Sequence, residues 1–160
     1  MATRVTAPAA DVHPVLRRAP APPAALDLLA KARSGLEEAA GLAVPNERYA
    51  TAHLAALRTA AAVLAARARP EPPGSRRRQR IRSAWELLPE IAPELTEWSA
   101  LFASGAARRA RAEAGIRDAA TGRDADDLLR EASMFLRIVE RLLALSPALP
   151  EPRRERADAV

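Results

Sequence analysis

Cysteine is absent from the 160 residues, so the chain has no disulfide framework, no thiolate metal ligand and no cysteine nucleophile. Aromatic residues are almost as scarce, at two tryptophans, one tyrosine and two phenylalanines. A core with so few rings has to be filled by leucine, valine and above all alanine. Histidine occurs twice, as His13 and His53, which leaves little for imidazole chemistry or a histidine-rich metal site. Long uncharged apolar runs are also lacking. The most apolar stretch, 50–68, is interrupted by His53, Arg58 and Arg67. An arginine near the middle of a membrane span costs about 2.5–3.5 kcal/mol, and alanine offsets little of that. The N-terminus has no apolar core of a signal peptide. No membrane partner is expected, and the expected location is the cytoplasm.

What is present favours helix. Alanine is the strongest helix former and β-branched residues are few, so propensity points one way along most of the chain. Residues 1–23 are rich in proline and alanine without apolar periodicity and read as a disordered tail. Residues 24–146 read as one helical domain, and 147–160 as a charged, disordered tail. The expected fold class is all-α, a bundle of four or five helices.

The helices can be placed from period and punctuation. The first spans 24–41, with Leu26, Leu29, Leu36 and Ala40 on one stripe and Gly41 as its stop. Asn46 is the expected N-cap of the second, with Glu47 in its first turn. Tyr49, Ala52, His53, Ala56, Leu57, Ala60, Val63 and Leu64 give that helix an apolar stripe of helical period. The sequence Pro70-Glu-Pro-Pro-Gly74 then forms a loop. Ser75 and Gln79 are the expected start of a third helix whose buried face is Ile81, Ala84, Trp85 and Leu88. Pro89 and Pro93 bend or break the chain, and Pro93 suits the first turn of a fourth helix carrying Leu95, Trp98, Leu101 and Phe102. That face fades over 110–115. A connection over 116–123 leads to Asp124, the expected cap of a closing helix. Its face is Leu128, Leu129, Ala132, Phe135, Leu136, Val139, Leu142 and Leu143, and Pro147 and Pro150 end it.

Three groups of residues could carry chemistry. Arg48 and His53 have the spacing of a ribonuclease pair, imidazole to move protons and guanidinium to hold phosphate. Against this, His53 lies inside the apolar stripe, and five positions on an ideal helix separate the two by about 140°. Arg76, Arg77, Arg78, Arg80 and Arg82 form a run of five arginines with no acid between them. Such a run could grip a phosphate backbone. No aromatic residue interleaves with it, so base stacking is not expected. Arg108, Arg109 and Arg111 form a fainter cluster. Asp124, Asp126 and Asp127 sit where a helix begins and read as dipole and capping residues rather than metal ligands. No metal and no cofactor are expected.

Three segments resemble the HEPN domain, the nucleotide-binding helical fold of higher eukaryotes and prokaryotes. They run from Leu26 to Ala40, from Glu47 to Leu64 and from Ala125 to Leu143, and the resemblance extends over about residues 24–146. It is nearest a small, uncharacterised branch in high-GC bacteria, which suits a chain with a single lysine, Lys31, among its 25 basic residues. The resemblance implies a helical bundle, pairing of two chains and a nucleic-acid or nucleotide setting. Ribonucleases of the family carry an Arg-x4–6-His motif on the closing helix, and the closing helix here contains no histidine. Catalytic roles are therefore not transferred to Arg48 and His53. The expectation is a non-catalytic HEPN-like module, paired as a homodimer, that binds RNA, DNA, a nucleotide or a partner protein. The alternatives are a metal-independent ribonuclease using Arg48 and His53, and a helical scaffold that touches no nucleic acid.

Overall fold

The computed structural model describes residues 21–67 and 82–145. The expected tails, the Pro70–Gly74 loop, the Ser75 and Gln79 helix start, Ile81 and Arg76, Arg77, Arg78 and Arg80 lie outside the described residues, as do His13, Pro147 and Pro150. Among the described residues there are five α-helices, α1 (Pro23–Gly41), α2 (Pro45–Arg67), α3 (Ala84–Ile91), α4 (Thr96–Glu113) and α5 (Gly122–Leu145), and one 3-10 turn (Pro93–Leu95). No strand occurs among the described residues, so the all-α bundle expected from propensity is the observed architecture.

The α1–α2 and α4–α5 connections lie side by side at one end of the bundle. Asn46 joins them: its side-chain amide donates to the Ile116 carbonyl at 2.8 Å and accepts from the Ala120 N–H at 3.0 Å. Arg48 closes the same end, with Nε donating to the Leu42 carbonyl at 2.9 Å and the guanidinium paired to Asp126. Hence α2 and α5 run in one direction, and α1 and α4 run in the other. Arg33 on α1 pairs with Glu140 on α5 and fixes the opposite flank.

Several boundaries differ from those expected. Helix α2 begins at Pro45, and Asn46 is spent on the neighbouring connection instead of capping its own helix. Pro45 needs no N–H partner at a helix start, which frees the asparagine. Asp124 is not the cap of α5 either. Thr121 takes that place, its hydroxyl accepting from the Asp124 N–H at 3.0 Å while Asp124 accepts from the Thr121 N–H at 2.9 Å. This reciprocal pair is a capping box. In α3 the cap is Ser83, which accepts from the Glu86 N–H at 3.3 Å. Helix α4 closes in a Schellman motif, with Ile116 N–H bonded to the Arg111 carbonyl and Gly115 N–H to the Ala112 carbonyl. Gly115 supplies the required positive φ of 72°.

Packing around α2 is also broader than its apolar stripe implied. Helices α1, α3, α4 and α5 all pack against it, and Ala55, Thr59 and Ala62 are buried beside the expected face. Small side chains let neighbours approach from several sides, and Thr59 satisfies its hydroxyl on the Ala55 carbonyl at 3.0 Å. Closing helix α5 keeps a one-sided face, burying Ala125, Leu128, Ala132, Phe135, Leu136, Val139 and Leu143. Leu129 and Leu142 are only partly buried at its edges.

Pro89, inside α3, shows how the short helix is joined to its neighbour. A proline has no N–H to give the carbonyl four residues earlier. That carbonyl belongs to Trp85, and it accepts instead from the buried Ser99 hydroxyl on α4. A gap in one helix thus becomes a link to the next.

Candidate functional site

All five aromatic residues of the chain gather with His53 in one connected cluster. Trp85 and Phe102 are 5.2 Å apart between ring centroids, Trp98 and Phe135 5.5 Å, and Phe102 and Phe135 5.2 Å. Distances in this range give ring pairs an attraction beyond their buried area. His53 stands edge-on to Trp85 and Phe102, and its ring overlaps that of Tyr49 at 6.4 Å.

His53 is 0% exposed, with Nε2 2.9 Å from the Phe102 carbonyl. A carbonyl only accepts, so Nε2 carries the proton in the neutral ring and donates it. The other nitrogen, Nδ1, is buried without a hydrogen-bond partner. Burial holds the His53 pKa below the usual imidazole value, with the Phe102 carbonyl opposing that effect. Arg48 faces elsewhere, toward the Leu42 and Ala43 carbonyls and Asp126. The two residues share a helix and an appropriate spacing, but the fold does not bring them together.

The arginines among the described residues are largely committed to carboxylates. Arg82, the described member of the five-arginine run, pairs with Glu90 and lies 3.8 Å from Glu86. Its hydrogen bond holds the Glu90 carboxyl below the ordinary range. Arg109 pairs with Glu113 at 2.9 Å, and Arg67 pairs with Glu94. Arg108 lies 3.4 Å from Asp124, leaving Arg111 as the one member of the second cluster with no such pair.

Arg108 belongs to a groove of about 490 Å³ between α4 and α5, floored by Tyr49 from α2. Leu101, Ser104, Gly105, Arg108 and Arg111 form the α4 wall, and Asp124, Asp127, Leu128 and Glu131 the α5 wall. The floor depends on Gly105. A Cβ at that position would lie 2.6 Å from the Tyr49 hydroxyl, closer than such atoms approach. The Arg108 guanidinium lies 5.8 Å from the Tyr49 ring centroid, within range of a cation–π attraction. Asp124 is held ionised below the usual carboxylate range by its bonds to Thr121. Glu131 is shifted the other way, raised by burial and by the neighbouring charge of Asp127. No group of His, Asp or Glu suited to holding a metal ion occurs among the described residues.

No local pattern marks this groove, because its walls come from α4 and α5 and its floor from the distant α2. The start of the α5 wall is legible as Thr121-Gly-Arg-Asp124, and that of α3, outside the groove, as Ser83-Ala-Trp-Glu86. Each has the Ser/Thr-x-x-Asp/Glu spacing that marks a helix start.

A family model, described as SAV_6107-like HEPN, matches residues 39–140, well over half of the chain. The chain belongs to the HEPN family. The match begins at the end of α1 and includes α2, α3, α4 and most of α5, so it covers both the aromatic cluster and the groove. Comparison with curated proteins gave no match, and neither did comparison with solved structures. No helix among the described residues is long and apolar enough to cross a membrane.

Proposed function

We propose that this HEPN protein is a non-catalytic, cytoplasmic nucleic-acid-binding module that works as a pair of identical chains. The observation that carries this reading is where the positive charge lies. The described residues contain 14 basic and 15 acidic side chains and are almost neutral. Residues 68–81, which join α2 to α3, contain Arg69, Arg76, Arg77, Arg78 and Arg80 against the single acid Glu71. The chain's net charge of +5 is therefore not spread over the bundle. Concentrated guanidinium charge attracts a polyanion and releases its counterions, whatever the base sequence. The burial of His53 supports the non-catalytic half of the reading, since a proton-transfer residue must reach its substrate. Exposed Leu26 and Met134 are apolar surface that a second copy would cover.

The test is binding of single-stranded RNA by the full chain across a salt series. With four phosphate contacts the log–log slope is about −3. Changing Arg76, Arg77, Arg78 and Arg80 together to Ser flattens the slope and removes most of the affinity. Arg82→Ser alone has a small effect, because Glu90 and Glu86 already engage that guanidinium. Unchanged binding by the fourfold variant would reject the basic segment as the contact. Sedimentation of the same samples reads the oligomeric state.

A further inference from the structure

Most charged side chains of α5 are engaged within the bundle. Asp124 pairs with Arg108, Asp126 with Arg48, Asp127 with Arg130 and Arg123, and Glu140 with Arg33. Glu131, Arg137 and Arg141 have no ion pair among the described residues. Two of these, Glu131 and Arg141, enclose Met134 and Ile138 along the helix. The four residues follow one another at steps of three, four and three, and at about 100° per residue they fall within about 80° of one another. Such spacing is the seam along which one helix lies against another. It points away from the buried side of α5. Met134 is 49% exposed, Arg141 is exposed, and Glu131 and Ile138 are half-buried at the edge. Leu101, exposed on α4, lines the same groove as Glu131 and widens the apolar surface.

The order of charges along this seam selects its partner. Opposite signs at the two ends of an apolar stretch match the same stretch run in reverse. Two α5 helices laid antiparallel place Met134 of each copy against Ile138 of the other, and the same register places Glu131 of each against Arg141 of the other. All four layers are centred level with Leu136, so a single two-fold axis generates them. In a parallel pair each charge would instead meet its own like, which is repulsive. We propose that two copies of this chain join through α5 in the antiparallel sense, with Met134 and Ile138 as the apolar centre and a Glu131–Arg141 pair between copies at either end. The proposal rests on the reading that the protein works as a pair, and assigns the surface that joins it. An interface of this kind is complete with two copies and offers no free half to a third.

The experiment is analytical ultracentrifugation of the full chain over a concentration series. Wild type is compared with Glu131→Arg, Arg141→Glu, the double variant carrying both changes, and Arg137→Glu, each first shown by urea denaturation to be folded. Either single reversal brings like charges together at both ends of the seam and weakens the pair about tenfold. Arg141→Glu, at an exposed position, tests the seam by itself should Glu131→Arg disturb the fold. The double variant restores opposite signs and returns the dissociation constant to within about threefold of wild type. Arg137→Glu alters the charge as much as Arg141→Glu, but about 80° from the centre line of the seam, and weakens the pair less. Single reversals without effect, a double variant no tighter than the single ones, or an equal loss with Arg137→Glu would overturn the seam and leave pairing in place. A wild type that stays monomeric throughout the series would overturn pairing and the seam together.

Discussion

Where α1 meets α2, small residues let two helix backbones come close. Ala25, Ala32, Gly35 and Ala39 are buried on α1, and a Cβ added at Gly35 would lie 3.4 Å from the Ala55 Cβ. Where α2 meets α3, α4 and α5, the space is wider and is filled by His53, Tyr49, Trp85, Trp98, Phe102 and Phe135. The first region gains from many close backbone and methyl contacts, each individually small. The second concentrates its buried area in a few rings. A core of this composition tolerates errors of opposite kinds on its two sides. Lost volume is severe among the rings, and added volume is severe along the alanine seam.

The sharpest way to break that contrast is Phe102→Ala. Phe102 is fully buried and contacts three other aromatic rings and His53. Its removal leaves a cavity and costs about 3–5 kcal/mol, a large share of the stability of a small domain. Urea denaturation would show a lowered midpoint, and a loss below about 1 kcal/mol would mean that the cluster collapses freely into the gap. The complementary change is Ala32→Leu, at a site with 0% exposure on α1. Extra methylene groups there force α1 off its neighbours, at about 1–3 kcal/mol, measured in the same way. A neutral outcome would show spare volume along the seam.

The smallest effect is pH-dependent and distinguishes the cluster from the seam, which contains no titrating side chain. In the folded state His53 holds its proton less tightly than in the unfolded chain, where its pKa is about 6.5. The unfolded state therefore binds more protons as the pH falls below that value, and stability declines there, by at most about 1.4 kcal/mol per pH unit. Above pH 6.5 this contribution is fully present. Denaturation of the wild type from pH 7.5 to pH 5 reads the decline, and His53→Gln, which retains a donor for the Phe102 carbonyl, removes its His53 component. An equal slope in both proteins would assign it to other groups.

Much of the fold was legible because its signals are local. Proline and glycine marked most helix limits, and Leu128, Phe135 and Val139 announced the buried side of α5 by their spacing. The burial of His53 between Tyr49 and Leu57 could be read the same way. Alanine concealed the central position of α2: it suits a buried face and an exposed one almost equally, so burial of Ala55 and Ala62 left no periodic trace. Asn46 was misplaced because a good capping residue is equally able to bind a neighbouring connection, and only tertiary structure decides between them. The groove was out of reach for a related reason. Tyr49, Arg108 and Glu131 acquire a common surroundings only when three helices assemble.

Gly105 has a consequence for how such a chain can change through descent. The hydroxyl at position 49 and a methyl group at position 105 compete for one volume, separated by 2.6 Å if both were present. Alanine would suit the helix better at 105, yet its methyl group requires the tyrosine hydroxyl to move or be removed. The two positions are therefore coupled: Gly105→Ala costs less stability in a Tyr49→Phe background than beside the tyrosine, where the hydroxyl has to move. The phenol at the groove floor is in this sense accommodated by the missing side chain at 105.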